Sequence, residues 1–210
     1  MRISPGSGST ATRDKLLDTA SALFYERGIV ATGVDTVVAA AGVSKPTLYA
    51  HFGSKSELVA AVLERRHARR LASLPVWLSE AVVDPLERLL AVFDWLADLY
   101  AREAPRGCAF LNAAAETPDA AQPAREVIRR QKRWMADYLG ELAANAGLVD
   151  PDLGSQLLLL IDGASSRVLV EAGADPEGGQ VASIVTQARR AAEALIAHAG
   201  PPCQPGAGRR

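Results

Sequence analysis

The chain has 210 residues, 49% hydrophobic and 22% charged, which is enough to bury a core and too apolar for a disordered segment. A net charge of −1 argues against a general polyanion binder, but residues 1–70 carry +4 and residues 71–210 carry −5, so only the front meets a polyanion on favourable terms. Two cysteines (Cys108, Cys203) and three scattered histidines make no disulfide framework, metal-ligand cluster or nucleophile–base pair, so no metal, cofactor or catalytic residue is expected. "MRISPGSGST" has no apolar stretch of a signal peptide, and "LLLLI" at 157–161 is too short to span a bilayer. These features predict a cytoplasmic protein with no membrane partner.

Helical periodicity runs through almost the whole chain, and no alternating strand is found. Residues 1–10 read as a flexible Ser/Gly/Pro arm and residues 200–210 as a disordered tail. A first helix spans Thr12 to Arg27, with Leu16, Ala20, Leu23 and Phe24 on one face and Gly28 as its left-handed stop. Thr32 and Asp35 read as a capping box that opens a second helix, which Gly42 ends. A short third helix covers Lys45 to His51, and a fourth runs from Ser54 to about Ser73, with Pro75 beyond it. Asp84-Pro85 opens a fifth and Gly107 precedes a short sixth, "CAFLNAAAE". Residues 124–145, 151–172 and 179–199 complete an all-α layout of about nine helices. The expected division is a helix-turn-helix domain at 11–72 and a helical bundle at 73–199.

The second and third helices, joined by "AGVS", form a helix-turn-helix. Val37, Val43, Leu48 and Phe52 lock the two together, which leaves Ser44, Lys45, Thr47, Tyr49 and His51 to project outward. Such a helix lies in the major groove with its N-terminal residues at base edges. Lys45 can donate to guanine or to a phosphate, the Thr47 methyl can meet a thymine methyl, and Tyr49 and Lys55 suit phosphate.

The stretch from Thr12 to Leu63 resembles the DNA-binding domain of the tetracycline-repressor (TetR) family. The matching strings are "LLDTASALFYERG", then T-x-V-x-x-V-x-x-A-A-G-V-S, then "KPTLYAHFGSKSEL". The resemblance implies that Lys45, Pro46, Thr47, Tyr49 and His51 contact DNA and that Lys55 holds a phosphate. Thr36, Gly33 and Ala50 depart from the usual pattern, so no relative's operator carries over. It also implies a helical ligand-binding and dimerisation domain behind, and "RGCAFLNAAAE" looks like one subgroup's sixth helix.

In that rear domain Trp77, Phe93, Tyr100, Phe110, Trp134 and Tyr138 either enclose a cavity or form ordinary core. With Cys108 and Asn112 they make the candidate site for an apolar, aromatic or cationic small-molecule inducer. Cys108, beside Arg106 at a helix start, reads either as an oxidant- or electrophile-sensing thiol or as a small hydrophobe. The last two helices are apolar on more than one face, and Leu157, Ala164, Val168, Ile184, Ala188 and Leu195 are the candidate homodimer contacts. In the family this pair of helices joins two-fold mates, which calls for a palindromic double-stranded operator. The reading is a repressor released by an inducer; the alternatives are a thiol-sensing repressor and a sequence-tolerant DNA-organising protein.

Overall fold

The structure, a computed structural model, describes residues 7–171, 173–174 and 179–199. Nine α-helices and no strand occur among them: α1 (Ser7–Arg27), α2 (Val34–Ala41), α3 (Lys45–His51), α4 (Lys55–Ala81), α5 (Pro85–Arg102), α6 (Ala109–Glu116), α7 (Pro123–Asn145), α8 (Leu153–Glu171) and α9 (Gly179–His198). The expected all-α class is therefore the observed one. The 200–210 tail and residues 1–6 of the arm lie outside the described residues, whereas α1 already begins at Ser7.

Two local expectations are corrected. Thr32 does not cap α2: Gly33 stands at the N-cap without a side-chain bond, and the buried Thr32 hydroxyl donates back to the Gly28 carbonyl at 2.7 Å. Pro75 does not follow the fourth helix but lies inside it. The proline removes the N–H that would reach the Leu71 carbonyl, and Leu71 is exposed, while Leu74 and Leu78 beside it are buried.

The chain divides into two compact units: residues up to Ala72 with Cys108–Gln131, and Ser73–Gly107 with the residues from Lys132 onward. The front unit thus holds more than the expected 11–72, because α6 and the start of α7 join it. Phe110, Ala113, Ala124, Val127 and Ile128 share one apolar core with Leu16, Leu17, Phe24, Val37, Leu48, Leu58 and Val62. The Glu116 carboxylate at the end of α6 accepts the Val30 N–H at 2.7 Å, in the turn after α1.

His67 of α4 is buried in this unit, edge-on to Phe110, with Glu64 and Arg130 as its charged neighbours. Burial, and then the Arg130 charge, push its pKa below the ordinary imidazole value. The unfolded chain therefore takes up a proton first as pH falls below about 6.5. Unfolding free energy should decline on acidification through that value, and His67→Gln should flatten the decline in urea titrations run at several pH values. A wild-type-like slope in His67→Gln would remove His67 as its source.

In the second unit α9 packs against both α5 and α8. Asp84 caps α5 by accepting the Glu87 N–H at 2.9 Å, with Pro85 at N1 as the sequence indicates. Lys132 and Asp162 form a mostly buried ion pair, and the buried Tyr100 hydroxyl meets Ser165. By length and composition α8 could cross a bilayer, but one stripe of it, Leu153, Leu157, Ile161, Ala164 and Val168, is core. That stripe includes three of the candidate dimer contacts, Leu157, Ala164 and Val168. Leu157, Ala164, Val168 and Ile184 are buried inside their own chain, and Ala188 and Leu195 are half-buried. The outward face of α8 carries Leu159, Gly163, Ser166 and Val170 instead, with Leu159 73% and Val170 79% exposed. Sequence periodicity shows two apolar faces but not which one turns inward.

Candidate nucleic-acid interface

The turn between α2 and α3 is built by Gly42, whose φ of 63° is left-handed and which ends α2. Its N–H donates to the Ala39 carbonyl, and the Val43 N–H to the Val38 carbonyl, so the end of α2 is closed before the chain reverses. Ser44 then caps α3: its hydroxyl accepts the Thr47 N–H at 3.2 Å and lies 2.7 Å from the Thr47 hydroxyl. Of the projecting side chains the sequence proposes, Ser44 thus also holds the helix start. Leu48 is fully buried and is the buried residue of this seven-residue helix.

Lys45, Pro46 and Tyr49 are exposed, and Thr47 and His51 are half-buried, so the five share the open side of α3. Arg13 of α1 stands over the ring of Phe52, the residue after α3, at 5.2 Å. The Lys45 ammonium pairs with Asp35 of α2, at 2.9 Å from Oδ1 and 3.2 Å from Oδ2. The hydrogen bond and charge of Asp35 hold the Lys45 pKa above its ordinary value, so the ammonium stays charged. Lys55, at the start of α4, donates to the Ile29 carbonyl at 2.5 Å. One of its three N–H groups is therefore engaged within the protein. Ser54 caps α4 by accepting the Glu57 N–H, and the Glu57 carboxylate reaches back to accept the N–H of Gly53, the residue before the cap.

Sequence reading missed two of these features. The S-x-x-E spacing at 54–57 was a visible signal for the α4 cap. Asp35 gave no signal of its partner, which lies ten residues on and across a turn.

The eight candidate ligand residues do not gather in one unit. Phe93 and Tyr100 are core of the second unit, Trp77 is half-buried there, and Trp134 stacks on Tyr138 at 5.7 Å. Cys108, Phe110 and Asn112 belong to the first unit. There Cys108 is the N-cap of α6 without a side-chain cap bond, and it packs against the apolar core. Asn112 lines a small, narrow cleft among α1, α4 and α6. Phe24, Ile29, Val62 and Ala113 are among its apolar lining residues, with Arg66 and Glu116 also on the lining. Arg66 lies over the Tyr25 ring at 5.0 Å and donates to Ser21 at 3.3 Å.

Comparison with known proteins gives two family matches: "Bacterial regulatory proteins, tetR family" at residues 16–62, and "Tetracyclin repressor-like, C-terminal domain" at residues 85–152. The transcriptional activator FasR of Mycolicibacterium smegmatis is 43% identical over 86 residues, 41% of this chain and 39% of its own length. The chain therefore matches about two fifths of that relative. The repressor ComR of Escherichia coli is 31% identical over 141 residues, 65% of this chain and 67% of its own. Among solved structures, a TetR-family regulator from Streptomyces coelicolor has a TM-score of 0.78 at 28% identity, covering 91% of this chain and 97% of its own. A TetR-type regulator from Streptomyces avermitilis has a TM-score of 0.70 at 35% identity, covering 87% and 98%.

Proposed function

Because this chain belongs to the tetracycline-repressor family of DNA-binding transcriptional regulators, which are not enzymes, we propose that it is a homodimeric repressor that a small molecule releases from a palindromic operator. The observation that carries this reading is the open side of α3, where Lys45, Pro46, Thr47, Tyr49 and His51 are presented together while Leu48 anchors the helix from behind. An exposed aromatic beside an ammonium on a seven-residue helix serves no core, and in the major groove it has a partner on every side.

Lys45 and Thr47 would take base edges, Tyr49 a phosphate through its hydroxyl, and His51 the groove flank. Lys55 keeps two N–H groups for a phosphate while the third braces the Ile29 carbonyl. The outward α8 stripe of Leu159, Gly163, Ser166 and Val170 is the surface offered to the two-fold mate, since small residues there let helices approach closely. The inducer would be an apolar, aromatic or cationic molecule, with the α1–α4–α6 cleft or the aromatic second unit as its seat. It acts by binding one conformation of the dimer better than the other, and release equals that difference in affinity.

Selection of bound duplexes from a random pool tests the reading. The expected product is a palindrome with half-sites in successive major grooves. Lys45→Ala should lower affinity for it by about 1–3 kcal/mol and relax one base position, whereas Tyr49→Phe should weaken all duplexes alike. No enriched sequence, or unchanged affinity in both variants by fluorescence anisotropy, would overturn it.

A further inference from the structure

We propose that Asp35 and Lys45 act as one unit that reads a single G·C pair in each half-site, with Asp35 as the residue that requires the cytosine. The inference rests on the DNA-reading role of α3 and adds to it a residue of α2.

The geometry carries it. Both carboxylate oxygens of Asp35 lie on the Lys45 ammonium, at 2.9 and 3.2 Å, yet neither side chain is withdrawn from solvent: Lys45 is 49% and Asp35 80% exposed. A pair this open contributes little to stability. What it does present, on the side of the protein where α3 is open, is a donor fixed beside an acceptor about one hydrogen-bond length away. The major-groove edge of a G·C pair has the same spacing in complementary form. Guanine shows the acceptors N7 and O6, and the cytosine N4 amino donor follows. O6 and N4 are themselves hydrogen-bonded, so they stand about 2.9 Å apart. Lys45 can donate to N7 and O6 while Asp35 accepts from N4, and the Lys45–Asp35 contact remains intact. The ammonium has three N–H groups and the carboxylate about four lone-pair sites, so both can make the outer bonds without giving up the inner one.

The alternatives fit less well. A T·A pair also sets an acceptor beside a donor, but its thymine methyl falls where the second Lys45 contact would be. A C·G pair reverses the order and brings guanine O6 against the carboxylate. A phosphate is a poor partner for Lys45 as placed, because it would approach the Asp35 charge. The carboxylate thereby turns a lysine that could grip backbone into one directed at bases.

The test is parallel selection from random duplexes by the full-length wild type, Asp35→Ala and Lys45→Ala. The wild type should favour G·C over the reversed C·G pair, which sets guanine O6 against the Asp35 carboxylate, at one pair per half-site by roughly tenfold or more. Asp35→Ala should lose that preference at that pair alone while its affinity for unrelated duplex rises, since a negative charge facing DNA is gone. Lys45→Ala should relax the same pair and lower affinity. If Asp35 only supported α2, its loss would weaken every sequence equally, and the motif would stay as stringent as before; that result, or relaxation of different pairs in the two variants, overturns the inference. If the wild type itself enriches nothing, the DNA-reading role falls first, so the two failures are distinguishable.

Discussion

Leu48→Ala should destabilise the front unit by about 3 kcal/mol and abolish operator binding. α3 has only seven residues, far fewer than an isolated helix needs to hold together in water. Its position depends on the Gly42 turn, the Ser44 cap and the fully buried Leu48 side chain. The cap and turn fix where the helix starts, but burial at Leu48 is what presses it against α1 and α2. Truncating the side chain leaves a cavity among the close-packed neighbours of that core. Urea denaturation followed by circular dichroism would measure the loss, and anisotropy with labelled operator the binding. A loss under about 1 kcal/mol would mean that the site collapses around alanine and that Leu48 is not the anchor. Ala50, exposed on the same helix, is the control: Ala50→Ser should leave stability unchanged within about 0.5 kcal/mol.

Gly107→Ala should be strongly destabilising to the second unit, at about 3 kcal/mol or more. Two separate penalties meet there. The backbone has φ of 68°, a left-handed conformation that costs a residue with a Cβ about 1–2 kcal/mol. A Cβ built there would also overlap the Ser165 carbonyl oxygen of α8 and lie 3.2 Å from its carbon, and both atoms are backbone that cannot swing aside. Gly147 separates the two penalties, because its φ is 79° but nothing lies within 4 Å of its added Cβ. Gly147→Ala should therefore lose only the conformational part, about 1 kcal/mol. Paired thermal melts of the two variants would give the packing contribution by difference. Equal losses would show that α8 gives way to the new methyl group.

Much of the architecture was legible in the sequence because it is decided locally. Asp84-Pro85, Gly28 and Gly42 mark helix ends through the dihedral angles and hydrogen bonds that their own residue types permit. The "GVSKPTLYAHF" string specifies a turn, a cap, a proline at the helix start and one apolar anchor, and all four occur where the string places them. Thr32 misled because a threonine before a helix reads as a cap, whereas its hydroxyl found a nearer acceptor at Gly28 once buried against α1. The helical pattern was also clear in the last third of the chain.

What the sequence determined by itself, then, was the run of helices, the helix-turn-helix with its open α3 face, and the family it resembles. Only the tertiary structure decided which of two apolar faces of α8 turns inward, that α6 joins the front core through Phe110 and Glu116, and that Pro75 is carried within α4. It alone set Asp35 beside Lys45. The reason is common to all four. A 3.6-residue period or a capping residue acts over one or two turns of chain, whereas burial and ion pairing depend on neighbours brought close from elsewhere, so the final choice among locally acceptable arrangements rests with packing.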